Sequence, residues 1–190
     1  MVRPKTIADE DILDATAEVL GERGAERLTF AEVAKRVGLS AATLVQRYGN
    51  KQAMVHATLL RAWDDLDAQT AEADAVCAIS PEGAIALVLS LSGSAPEIDN
   101  YGNGLMLLRE DMRDPQLRDR GAAWGRALSK ALGRRLTDDP MRQSSLGKLM
   151  ASQWQGAQLW WAFSRSVPAQ EAIAEELQLW CAITLEKTAN

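Results

Sequence analysis

Thr29 to Met54 reads TFAEVAKRVGLSAATLVQRYGNKQAM, and the order of caps, apolar positions and glycines in this stretch decides the fold. Thr29 is an acceptor suited to cap a helix, with Glu32 at the capping-box position three residues on. A short helix through Val37 follows. Gly38 is the residue type that a left-handed turn favours, and Leu39-Ser40 breaks and recaps the chain for a second short helix ending near Tyr48. Gly49-Asn50 ends that helix before another opens at Lys51. Two short helices joined by a glycine-containing turn form a helix-turn-helix unit. Ala34 falls at the crossing, where a large side chain would push the helices apart, and Val33, Val37, Leu39 and Leu44 have the spacing to face inward.

Upstream, Asp9 is placed to cap a first helix whose Ile12, Thr16, Val19 and Leu20 share one stripe, with Gly24 as its stop. Downstream, the helix opening at Lys51 contains no Pro or Gly and is expected to run to about Ala75. Prolines 81, 96, 115, 140 and 168 sit where helices start or the chain breaks, predicting helices over roughly 81–93, 97–112, 115–136, 141–165 and 169–187, the last two paired as a hairpin. Alternating strand patterns are nearly absent. The expected fold is all-α: a helix-turn-helix domain over residues 1–50, then a larger helical domain over 51–190.

The composition suits a packed globular chain: of 190 residues, 47% are hydrophobic and 25% charged, which excludes wholesale disorder and collagen-like classes. Cys77 and Cys181 fit neither metal-ligand spacing nor a disulfide framework, and both are expected to be small buried groups in a reducing, cytoplasmic setting. The N-terminus turns acidic before an apolar stretch forms, and the longest apolar run, Ala84 to Leu89, falls far short of the roughly 20 residues a membrane helix needs. A soluble protein is expected, with no metal and no cofactor.

The net charge of −5 at first disfavours a phosphate-rich partner. Its distribution says otherwise. Residues 1–60 balance eight basic against eight acidic groups, and within Arg23 to Lys51 six basic residues face two acidic ones. The helix beginning at Ala41 also presents Ala41, Ala42, Thr43, Gln46 and Arg47 on a face with no core to fill. Small residues followed by hydrogen-bonding ones suit entry into the major groove of double-stranded DNA. Gln46 is either an adenine reader or a solvated surface glutamine, and Thr43 offers a hydroxyl and a methyl. Thr29, Arg47, Tyr48 and Lys51 are placed for phosphates, and Arg3 and Lys5 for a basic arm.

These residues carry a resemblance. Thr29 to Met54 is similar to the DNA-binding signature of TetR-family transcriptional regulators, with Ser40, Thr43, Leu44, Tyr48, Asn50 and Lys51 at matching positions. The chain departs from that pattern at Ala42, where the family usually has glycine, at Val45, where it usually has tyrosine, and at Arg47, where His or Tyr is common. The resemblance implies a homodimeric regulator, commonly a repressor, released from a palindromic operator by a small effector bound among the helices of the larger domain. Under that implication Met106, Arg109, Trp124, Leu128, Trp154 and Gln158 are expected to line the effector site, with an ion pair as the other reading of Arg109.

All six tryptophans lie after residue 52, where they can fill a core or line a cavity. Small and large residues interleave over Leu146 to Trp161, and the last helix is apolar around more than one stripe. Leu149, Gly156, Trp160, Ile173, Leu177, Trp180 and Thr184 are therefore expected at a two-fold interface. The competing reading is an all-helical small-molecule-binding protein or enzyme without DNA binding. It has only His56, Asp64-Asp65 and Glu175-Glu176 to offer as acid/base groups, without a partner motif, a phosphate-cradling loop or zinc spacing, so the chain is expected not to be an enzyme.

Overall fold

The computed structural model describes residues 7–92, 107–165 and 167–185, and among them every regular element is a helix. These are α1 (Asp9–Arg27), α2 (Phe30–Val37), α3 (Ala41–Tyr48), α4 (Lys51–Val76), α5 (Pro81–Leu91), α6 (residues 107–113), α7 (Pro115–Leu136), α8 (Pro140–Ser164) and α9 (Ala169–Leu185). Arg3, Lys5 and Met106 lie outside the described residues, as does most of the helix expected over 97–112. The other spans, α1 apart, agree with expectation to within two residues because capping side chains and prolines stand at their starts. No described helix is long and apolar enough to cross a membrane.

One boundary is made differently from its expectation. The N-cap of α1 is Ala8, which has no side chain to cap with, and Asp9 is the first helical residue. Its carboxylate serves α3, accepting from Arg47 Nη1 at 3.1 Å. Gly24 does break the helix, with φ 74° and ψ 164°, but one further turn carries α1 on to Arg27.

The contacts divide the chain into two compact units, residues 1–64 with 99–120 and residues 65–98 with 121–190. Residues 51–64 of α4 therefore group with the helix-turn-helix, where sequence alone drew the boundary at residue 50. The first unit encloses a core of Ile12, Leu20, Leu28, Val33, Leu44, Met54 and Leu117, each 2% exposed or less. Arg36 ties α2 to α1 by ion pairs to Glu18 and Glu22. Trp63 Nε1 donates to Asp111 at 3.1 Å, and burial raises the pKa of that carboxyl.

In the second unit α8 and α9 pair as the expected hairpin, and α5 packs on α9. The faces of that hairpin differ from expectation at two positions. Ile173 and Leu177, expected at a subunit interface, are 2% and 0% exposed within the unit, because their stripe of α9 faces the core. The surplus apolar surface lies elsewhere: Leu149, Trp160 and Phe163 on α8 and Leu179 and Ile183 on α9 are all more than half exposed. Trp180 and Thr184 are half-buried, as is Gly156. Of the cysteines, Cys181 is buried, with its thiol pushed up to about 11 by burial and then by the charge of Glu82. Cys77, expected to be buried, is half-buried just beyond the end of α4.

Two contacts hold the second unit in ways that side-chain periodicity does not announce. A Cβ on Gly147 would stand 1.8 Å from the Ser129 carbonyl oxygen, and one on Gly133 2.1 Å from that of Gln143, so α7 and α8 meet backbone to backbone. Arg135, 3% exposed, fans its guanidinium over the end of α4, donating to the carbonyls of Asp74, Cys77 and Ala78 at 2.8–3.0 Å and to Asp74 Oδ1 at 2.6 Å. These carbonyls belong to the last turn of α4 and the residues just past it, where a helix lacks backbone partners.

Candidate nucleic-acid interface

The recognition surface is built by local chemistry. Thr29 Oγ1 accepts from Glu32 N at 3.3 Å and its hydroxyl reaches the Glu32 carboxylate at 3.0 Å, which sets the start of α2. Gly38, in the left-handed region at φ 72°, ψ 30°, closes that helix with its N–H on Ala34 O. Ser40 Oγ then accepts from Thr43 N at 3.1 Å and lies 2.9 Å from Thr43 Oγ1, so α3 begins with its first turn satisfied. Only Leu44 of α3 is fully buried.

The remainder of α3 faces outward. Ala42, Val45 and Gln46, spaced i, i+3 and i+4, are exposed together, while Ala41 and Thr43 are half-buried at its flanks. Val45, 46% exposed, belongs to this face, although it entered the sequence reading only as a departure from the usual tyrosine. A valine methyl beside a glutamine amide can meet a thymine methyl and an adenine edge respectively.

The cations around this face are more committed than composition suggests. Arg47 donates from Nη1 to the Ile7 carbonyl at 2.9 Å and to Asp9 Oδ1 at 3.1 Å, and Tyr48 OH donates to the same carboxylate at 3.4 Å. Burial and then the Asp9 charge raise the Tyr48 pKa, so the phenol stays protonated. Lys51 Nζ donates to the carbonyls of Ala25 and Glu26 at 3.2 Å each, completing the end of α1. Arg23 pairs with Glu32 at 2.5 Å. Of the six cations between Arg23 and Lys51, only Arg27 and Lys35 are exposed without an ion pair or carbonyl contact among the described residues.

This arrangement has a known counterpart. Residues 12–58 match the sequence pattern described as bacterial regulatory proteins, tetR family. Residues 12–58 are similar to the N-terminal domain of that family. Among solved structures, a transcriptional regulator from Rhodococcus sp. has a TM-score of 0.76 at 18% identity, covering 95% of this chain and 97% of its own. A transcriptional regulator from Saccharomonospora viridis, in complex with choline, has a TM-score of 0.73 at 16% identity, with 93% and 96% covered. A TetR-family regulator from Streptomyces coelicolor gives 0.70 at 16% identity, with 96% and 85% covered. No curated protein sequence matches the chain. The TetR-type domain is a DNA-binding helix-turn-helix, and the chain as a whole has the fold of these regulators.

The residues expected around an effector are scattered. Trp124 and Leu128 line an open groove of about 760 Å³ in the second unit. Trp154 is 5% exposed, packs its ring 6.4 Å from that of Trp124, and donates from Nε1 to Ser92 Oγ at 3.0 Å. Trp124 Nε1 is likewise committed, to Thr70 Oγ1 at 2.9 Å. Gln158 is half-buried away from the groove lining, and Arg109 is exposed in the first unit. Three of the acid/base candidates have structural partners: His56 Nε2 lies 3.4 Å from Asp114, Asp64 pairs with Arg120, and Glu176 accepts from Gln153 at 2.7 Å.

Proposed function

We propose that the chain is a ligand-responsive transcriptional regulator that binds a two-fold symmetric operator as a homodimer and is released from it by a small effector, acting as a repressor. The observation that carries this reading is the exposed Ala42-Val45-Gln46 face of α3, held rigid by Ser40 at one end and flanked by Arg47 and Tyr48 at the other. In this reading Gln46 and Val45 contact bases. Thr29, Ser40, Ala41, Ala42, Thr43, Arg47, Tyr48 and Lys51 line the backbone and groove walls, and Arg3 and Lys5 add basic reach. The internal contacts of Arg47 and Lys51 give each a positioning part as well: Arg47 holds α3 to the start of α1, and Lys51 holds α4 to its end.

Homodimer formation is supported by the exposed apolar face shared by α8 and α9, where Trp160 and Phe163 pack on each other at 6.0 Å while remaining 67% and 76% exposed. Pairing these hairpins about a two-fold axis would bury that face and separate the recognition helices by about one DNA turn, roughly 34–36 Å, or a multiple of it. A small-molecule effector is supported by the choline bound to the Saccharomonospora viridis regulator of the same fold. An effector that favours a conformation with the wrong separation lowers DNA affinity by its differential affinity for the two states.

Titration of the protein against DNA from around its own gene at two salt concentrations tests the reading. Palindrome-selective binding that weakens steeply with salt is expected. Absence of any selective fragment, with Gln46→Ala and Arg47→Ala both silent, would refute it.

A further inference from the structure

We infer that the groove between α7 and α8 binds an elongated organic anion, with a carboxylate head group on an apolar body. The inference deepens the effector-responsive reading, on which it rests for the ligand's regulatory role but not for binding itself. The groove measures about 760 Å³. Its lining on α8 extends from Pro140 to Gln155, which at 1.5 Å per residue is roughly 22 Å. An extended molecule fits such a shape better than a compact one.

The charge of the lining is one-sided. Arg126, Lys130 and Lys148 contribute to it and, among the described residues, no carboxylate does, in a chain whose acidic residues outnumber its basic ones by 26 to 21. None of the three forms an ion pair among the described residues, whereas Arg134 and Arg135 on the same helix α7 both pair with Asp74. The helix register brings the three together. Gly147 abuts Ser129 and Gly133, and Gly133 abuts Gln143, so α7 and α8 run antiparallel, setting Arg126 and Lys130 across from Ser144, Lys148 and Ser152. The apolar part of the wall comes from Ala122, Pro140 and Ala151, together with the small exposed parts of Trp124 and Leu128. Because the Trp124 N–H is committed to Thr70, the indole has no donor left and serves the groove as an apolar surface. Unpaired cations beside an apolar wall select an anion with an apolar body, and they repel a cation of the same length.

The test uses the full chain and three ten-carbon probes, decanoate and decyltrimethylammonium below their micelle concentrations and decanol below its solubility limit, each titrated calorimetrically without DNA. Decanoate is expected to bind saturably, and Lys130→Gln with Lys148→Gln to weaken it by about tenfold or more, since charge-assisted contacts are lost. Both lysines are exposed, so the double variant should melt with the parent; Arg126→Gln, also exposed, gives an independent second variant. The inference is overturned if decanoate does not bind, if both variants bind it as the parent does, or if the cationic probe binds equally well. It is also overturned if the double variant changes only the sedimentation mass, since the cations would then serve a subunit contact. Any of these with selective DNA binding intact removes the anion site while leaving the regulator reading standing.

Discussion

Replacing Arg135 with methionine separates two explanations of what holds the end of α4. Its side chain is wholly buried and donates to the carbonyls of Asp74, Cys77 and Ala78, to its own helix at Ala131 O, and to Asp74 Oδ1. Methionine keeps much of the volume and removes every donor. If the ion pair dominated, the loss would come from stranding the Asp74 carboxylate. That carboxylate, however, is 24% exposed and retains Arg134 at 2.5 Å, so it is not left unpaired. The cost falls instead on the three carbonyls at and just past the end of α4. At about 1 kcal/mol for each acceptor left unsatisfied, Arg135→Met should cost about 3 kcal/mol. That is a large share of the roughly 5–15 kcal/mol of a typical fold. For a chain of this size it corresponds to a fall in Tm of about 6–12 °C. Asp74→Asn keeps the carbonyls capped and leaves the buried Arg135 charge held by four carbonyls and the amide oxygen, so it should cost about half as much, roughly 1.5 kcal/mol. Thermal unfolding followed by circular dichroism, at one fixed protein concentration because association would shift Tm, gives the comparison. If Asp74→Asn proves as damaging as Arg135→Met, or if the methionine variant melts within about 2 °C of the parent, the carbonyl-capping account is wrong.

Other outcomes follow from the same geometry. Gly147→Ala drives a methyl into the Ser129 carbonyl, so α7 and α8 must separate; a loss of about 2–3 kcal/mol is expected by denaturant titration, against about 1 kcal/mol for Gly38→Ala, where only positive φ and no clash is at stake. Gln46→Ala should narrow the gap between operator and mutated operator by about 1–3 kcal/mol in competition binding, with little change in nonspecific affinity. Arg47→Ala should weaken binding to all sequences, and it should also lower Tm through the lost contacts to Ile7 and Asp9, which a pure phosphate contact would not do. With its thiol near 11, Cys181 is protonated at pH 8, so iodoacetamide should modify Cys77 first and Cys181 only after unfolding; mass spectrometry of the partly labelled chain decides this.

The helix-turn-helix was legible because its determinants are local. Thr29, Gly38 and Ser40 act on backbone groups within a few residues of themselves, so their spacing alone announces the caps and the left-handed turn they form. Asp9 misled for the complementary reason: its cap-like position was plain, but its partner Arg47 stands 38 residues away. The second unit was legible in its helix spans and less so in its faces. The wide apolar band of α9 was evident, yet only packing against its neighbours sorts Ile173 and Leu177 inward and leaves Leu179 and Ile183 outside.

By itself, the sequence determined the all-helical class, the α2-turn-α3 unit and the outward face of α3, because helix periodicity, capping and glycine conformation are short-range properties of the chain. The tertiary structure alone decided which cations are free. Composition counts Arg23, Arg36, Arg47 and Lys51 as one basic strip, whereas the fold binds each to a carboxylate or a carbonyl and leaves Arg126, Lys130 and Lys148 without an ion pair among the described residues of the acidic part of the chain. Charge pairing depends on distances between helices remote in sequence, and those distances exist only once the core has packed.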